Sequence, residues 1–220
     1  MGGGRAVSDP SLILLPWGLG VLDLALWVAT AWAKRRASRV PVGISGMEAA
    51  RLALRSQGLR EVPVRLGRAN RFILWDGIEL TPDVYAGDSA ASVVTAAHEV
   101  AHAVQVRGAG ERRLTYPYAA GRLVFPLCVL AVLAAALTGQ GVSTALVISL
   151  VSTPLVLFVV LVEVDADRKA LGLLDEVGLL RDPERRKAAV LLIQARAARL
   201  ILWALAPAVL SLWLAQAGVR

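Results

Sequence analysis

From Leu123 to Val162 the chain contains no Asp, Glu, Lys or Arg. Such a stretch is too long for one core helix and too apolar for a solvated one, so it constrains the fold more than any other feature. Thr138-Gly139-Gln140-Gly141 interrupts it with turn-forming residues. It therefore reads as a hairpin of two spans, 123–138 and 142–162, the first short for crossing ~30 Å of hydrocarbon. Two further tracts are of the same kind. Ser11–Ala33 carries one charge, Asp23, and Leu200–Ala215 carries none. With 56% hydrophobic residues and a mean hydropathy of +0.60, the chain is too apolar for an ordinary soluble domain. The fold class expected is a mainly α-helical integral membrane protein of about four transmembrane helices, with a small α+β domain on the cytoplasmic side.

Charge placement orients these spans. Lys34, Arg35, Arg36 and Arg39 follow the first tract at once, whereas Arg5 and Asp9 alone precede it. The excess of basic residues on the cytoplasmic side places the N-terminus outside and residue 34 onward inside. A cleaved signal peptide ending near Ala29-Thr30-Ala31 is the competing reading, but the apolar stretch is long and its basic cluster lies on the wrong side. Of the 24 Lys and Arg, fourteen fall in 34–122 and eight in 163–199, leaving only Arg5 and Arg220 outside. The net charge of +7 is thus accounted for by topology, and no nucleic-acid partner is implied. The partner implied so far is the lipid bilayer, and nothing in the sequence specifies an oligomeric state. The organisation expected is an anchor at 1–33, a cytoplasmic α+β domain at 34–122, a membrane hairpin at 123–162, a cytoplasmic helical segment at 163–199 and a final span at 200–220. Asp23 costs about 2.5–3.5 kcal/mol in mid-membrane and must face protein or water, in a helix-packing or water-contact role.

Within 34–122, Gly46–Gly58 has helical periodicity, Val62–Leu66 is a short strand, and Arg71–Thr81 holds two strands around an Asp76-Gly77 turn. Asp88 or Ser89 can cap a helix that Gly108 ends. That helix carries TAAHEVAHAVQ, Thr95–Gln105, with the only two histidines of the chain. Residues i and i+4 share a helix face, so His98 and His102 can offer imidazole nitrogens to one ion. Glu99 then leans over the open coordination position, where it can take a proton from water. The bland alternative is an incidental polar pair on a helix.

A catalytic zinc takes three protein ligands and leaves a position for water. The single cysteine, Cys128, lies in an apolar run, so the third ligand must be a carboxylate. Glu163, Asp165 and Asp167 emerge from the third span on the same side as the histidine helix. Glu163 and Asp167 are four apart and share a face. Glu163 fits as the ligand, and Asp167 fits as the acceptor that orients a ligating imidazole through its other N–H, unless it only pairs with Arg168 or another neighbour. Asp165 points elsewhere and reads as solvated.

TPDVYAGDSAASVVTAAHEVAHAVQ and the later VEVDADRKAL, with the apolar spans between them, resemble the bacterial membrane-bound neutral zinc metallopeptidases (zinc peptidase family 2, YugP-like) over the whole chain. More remotely, the spacing of Glu163 and Asp167 is similar to that of HtpX-like and CAAX-processing membrane proteases. The resemblance implies Zn2+ held by His98, His102 and Glu163, with Glu99 as general base, in a gluzincin-type HExxH peptidase. Two positions depart from the nearer family: Ala101 stands where glycine is usual, and Asp167 where serine is common. The function expected is a zinc metalloendopeptidase of the bacterial inner membrane, cleaving membrane-associated or unfolded proteins at the cytoplasmic face. An extended substrate would pair with the strand at Ile78–Thr81, and Tyr85, Tyr116, Tyr118 and Arg168 are conceivable oxyanion partners. The alternatives are a proteolytically inactive scaffold or chaperone-like protein retaining a structural zinc, which would not need Glu99, and a metal transporter, which would want ligands inside several spans.

Overall fold

The computed structural model describes residues 10–74, 76–138 and 140–216. Arg5, Asp9, Trp75, Gly139 and Arg220, which enter the sequence reading, lie outside them. The elements in chain order are α1 (Pro10–Ala37), α2 (Gly46–Ser56), β1 (Val64–Leu66), β2 (Arg71–Ile73), β3 (Gly77–Leu80), α3 (Pro82–Tyr85), α4 (Ala90–Ala109), α5 (Glu111–Thr138), α6 (Val142–Glu176) and α7 (Pro183–Gln216). Among the described residues the chain is mainly helical with one small sheet, and four helices are long and apolar enough to cross a membrane. The first arm of the hairpin is not short: its apolar span covers Leu114–Thr138. The charge-free run undercounts the helix because Arg122 stays on it, with its guanidinium 5.7 Å from the Tyr118 ring centre. Residues 163 and 200, read as segment boundaries, both fall inside continuous helices, α6 and α7.

The chain divides into two compact units. One comprises the described residues up to 27, 116–161 and those from 198 onward. Here α5 and α6 approach closely at Gly121, where a Cβ would lie 2.5 Å from the Leu155 carbonyl oxygen. Small residues at such crossings let helix backbones pack where apolar surface alone gives no preference for protein over lipid. A buried polar cluster ties three helices together: Cys128 Sγ lies 2.8 Å from Ser152 Oγ, and Ser149 Oγ 2.8 Å from Ser211 Oγ. Asp23 accepts a 2.7 Å hydrogen bond from the Trp203 indole, and Phe125 stacks on that ring at 6.1 Å. This is a packing role for the intramembrane acid.

The other unit comprises 28–115 and 162–197. α2 opens with a reciprocal cap in which Ser45 accepts from the Glu48 amide while Glu48 accepts from the Ser45 amide at 2.8 Å. The sheet order is β1-β3-β2, with β1 parallel and β2 antiparallel to β3. Ile73 pairs with Gly77, so Gly77 belongs to β3 and the hairpin does not turn on Asp76-Gly77. Gly77 instead starts β3 with φ 101, pressed against the Pro63 carbonyl where no side chain fits. Because β3 is central, both its edges are occupied, and the expected pairing of substrate with Ile78–Thr81 is excluded. Only the tertiary fold reveals this, since β1 comes from a separate stretch and its parallel pairing has no local signal.

Two apolar clusters fill this unit, one joining α2, the sheet and α4, the other joining α4 to α6 and α7. α4 passes through both. Ser89 caps it by accepting from the Ser92 amide, and it runs through Gly108 to Ala109, with Gly110 beyond it at φ 82, a backbone angle glycine adopts readily. Its faces are lined with Ala90, Ala91, Ala96, Ala97, Ala101 and Ala103, all buried. Short side chains bring neighbouring elements close to the helix that carries both histidines.

Candidate metal centre

α4 delivers His98 and His102 one turn apart, edge to face, with ring centres 4.7 Å apart. α6 delivers Glu163 to the same point. His98 Nε2 lies 3.1 Å from Glu163 Oε2, His102 Nε2 lies 3.8 Å from it, and the two Nε2 atoms are 3.1 Å apart. A tetrahedral zinc with ligand bonds of ~2.0–2.1 Å needs donor atoms roughly 3.3 Å apart, so this spacing fits the ion.

The hydrogen bonds behind the imidazoles strengthen that fit. His98 Nδ1 is 2.8 Å from Asp167 Oδ1, and His102 Nδ1 is 2.9 Å from Gln105 Oε1. A carboxylate and an amide oxygen only accept, so both Nδ1 atoms carry a proton and each Nε2 is the atom left to present a lone pair to a metal ion. Two lone pairs and a carboxylate oxygen then converge on one point. Such a set of acceptors calls for a cation.

Electrostatics agree with that requirement. His98 is 3% exposed, and burial by itself would lower its pKa, yet hydrogen bonds to Asp167 and Glu163 raise it from 6.5 to about 9. A proton on His98 thus answers the negative field that a metal ion would otherwise neutralise. His102 shifts the other way, lowered by burial and by the neighbouring His98. Glu99, also buried, has its pKa raised chiefly by desolvation, with His98 acting in the opposite direction; the carboxylate of Glu163 adds to the rise and the backbone amide of Phe72 in β2 offsets it.

Each residue proposed from the sequence has a definite place. His98, His102 and Glu163 come together, and Asp167, fully buried on α6, stands behind His98 with Arg196 Nη1 of α7 3.6 Å from the same Oδ1. Asp165 is not merely solvated. It accepts 2.7 Å from Gln105 and 2.6 Å from Lys169, because the long glutamine reaches across to the neighbouring face of α6. Of the oxyanion candidates in this unit, Tyr85 packs against the sheet-side apolar cluster and Arg168 is exposed; Tyr116 and Tyr118 belong to the other unit. Sequence reasoning missed Gln105 and Arg196. Gln105 stands three residues after His102, a spacing that puts it on the same helix face and could have been read. Arg196 carries no such local signal, being brought in by α7.

Family comparison bears on the chain as a whole. No curated protein and no solved structure matches it. A family model described as "Putative neutral zinc metallopeptidase" matches residues 11–216, which takes in α4, α6 and both ends of the donor set. The remoter likeness to HtpX-like proteases receives no support from that match. With nearly its full length matched, the chain belongs to the neutral zinc metallopeptidase family, zinc peptidase family 2.

Proposed function

We propose that this chain is a zinc endopeptidase of the bacterial inner membrane, with its metal centre at the cytoplasmic face, that hydrolyses peptide bonds of membrane-associated or unfolded proteins. The observation that carries the reading is the convergence of His98 Nε2, His102 Nε2 and a Glu163 oxygen within 4.8 Å of one another, beside a buried Glu99. In this reading those three residues hold zinc. The ion supplies Lewis acidity, polarising a carbonyl and bringing the pKa of water toward ~7.

The chain's own residues do the remaining work. Asp167 and Gln105 hold the imidazoles with their Nε2 lone pairs inward. Glu99, with a pKa raised by burial, takes the proton from the attacking water and returns it to the leaving amine. A carboxylate with an ordinary pKa would be a weaker proton acceptor for that step. The substrate lies along the outer edge of β2, since β3 is enclosed and the Phe72 backbone of β2 faces Glu99. Main-chain pairing there would recognise an extended or unfolded segment with little regard for its side chains.

The test combines metal analysis with proteolysis of an unfolded membrane protein by wild type, Glu99→Gln and Glu163→Ala. Expected are stoichiometric zinc and cleavage in wild type, zinc without cleavage in Glu99→Gln, and weakened zinc binding in Glu163→Ala. Equal cleavage by wild type and Glu99→Gln overturns the enzymatic reading, and zinc without cleavage in wild type returns the inactive scaffold. For orientation, a cysteine replacing Asp76 should resist labelling from outside intact cells.

A further inference from the structure

We propose that Gln105 is the positioning residue for His102, and that its amide performs this task because the Val162 carbonyl and Asp165 on α6, with Lys169 holding Asp165, dictate which way round it points. The inference deepens the zinc-peptidase reading and rests on it. A glutamine amide has two ends of nearly equal size, one accepting and one donating. At this site the ends are not interchangeable. Gln105 Nε2 lies 2.8 Å from the Val162 carbonyl oxygen and 2.7 Å from Asp165 Oδ2, both pure acceptors. The NH2 group must face them.

That choice propagates to the imidazole. With its nitrogen turned to α6, Gln105 can offer His102 Nδ1 only its oxygen, at 2.9 Å. An oxygen accepts, so His102 Nδ1 keeps its proton and Nε2 presents the lone pair. The tautomer of one helix's imidazole is therefore decided by acceptors on another helix. Lys169, one turn along α6, holds Asp165 in place with 2.7 and 2.6 Å contacts to its two oxygens and balances its charge. Gln105 itself is buried at 6% exposure, so water cannot substitute for these partners freely.

The two imidazoles are consequently supported in different ways. His98 leans on a buried carboxylate, Asp167, and His102 leans on a neutral amide whose carboxylate stands one step further out. A glutamate at 105 would reproduce the acceptor toward His102. Its second oxygen would then meet the Val162 carbonyl and Asp165, two further acceptors. Glutamine is the residue that satisfies both sides at once.

The full-length protein in detergent or a bilayer disc tests this by chelator competition for zinc. Gln105→Met, which keeps the bulk and loses the amide, should weaken zinc binding about 10–100-fold. Gln105→Glu should also weaken it, and Asp165→Ala less so, because the Val162 carbonyl still orients the amide. Gln105→Met binding zinc as tightly as wild type, with His98→Ala binding it far more weakly, overturns the positioning role and leaves the zinc site standing. Wild type and His98→Ala binding zinc equally weakly overturns the zinc reading and the inference with it. A second readout needs no variant: nitrogen-15 correlation of the zinc-loaded wild type should show a protonated His102 Nδ1. Metal on Nδ1, with the proton on Nε2, overturns the inference.

Discussion

α1 and α4 are both apolar helices, yet they meet opposite surroundings. None of the most apolar window of α1 is buried, and Trp17, Val21 and Leu24 are more than half exposed. α4 is enclosed on almost every side, with buried residues from Ala90 to Gln105. Large side chains lie on the open helix and alanines on the enclosed one. Hydropathy alone does not decide burial within a fold. A helix rich in large apolar groups is solvated by lipid tails, whereas a helix that must hold three neighbours close needs short side chains that leave room for them.

Glu99→Gln should produce the largest effect and marks α4 as the working helix. Proteolysis should fall about 10²–10⁴-fold, the usual contribution of a positioned proton carrier, while zinc content by elemental analysis stays unchanged. Cleavage at the wild-type rate would remove α4 from the chemistry. Next, Ala97→Leu inserts bulk into a fully buried position and should cost about 1–3 kcal/mol of stability, read as a lowered unfolding midpoint. A neutral result would mean α4 is less closely enclosed than its alanines require.

Protein stripped of metal sharpens the same contrast through pH. The folded pKa of His98 is raised from 6.5 to about 9, so the protonated form favours the fold. Its contribution is fully present below pH 6.5 and is lost as pH rises from 6.5 to about 9. The unfolding midpoint of stripped wild type should fall through that window, and that of stripped His98→Ala should fall less. Smallest of all is Leu24→Ala on α1. A lipid-facing leucine contributes only ~0.3–0.6 kcal/mol to insertion, so stability should change by less than about 1 kcal/mol. A loss as large as that of Ala97→Leu would show that α1 is held by protein, not lipid.

Much of the site was legible because its parts are local. His98, Glu99 and His102 share one helix turn, and Glu163 and Asp167 share another, so spacing alone places each group on a face. Gln105 was visible by the same spacing and was passed over because an amide does not announce its partner. Asp165 was misjudged because its exposure is real while its function depends on a glutamine from another helix. The β3 edge failed for a related reason. A hairpin can be read from its two strands, but the third strand that covers its other edge pairs in parallel from an earlier stretch, and no nearby residue signals it.

The order of residues by itself determined the four apolar helices, the two motifs and the donor types, since these depend on composition and on the 3.6-residue period. The tertiary structure decided what those donors face. It set the meeting of α4 with α6 at one cation-seeking point, the enclosure of β3 and exposure of β2, and the amide of Gln105 locked between His102 and Asp165. The physical reason is directional: a hydrogen bond or a metal ligand works only at a defined distance and orientation, and residues sixty positions apart acquire both only when their helices pack.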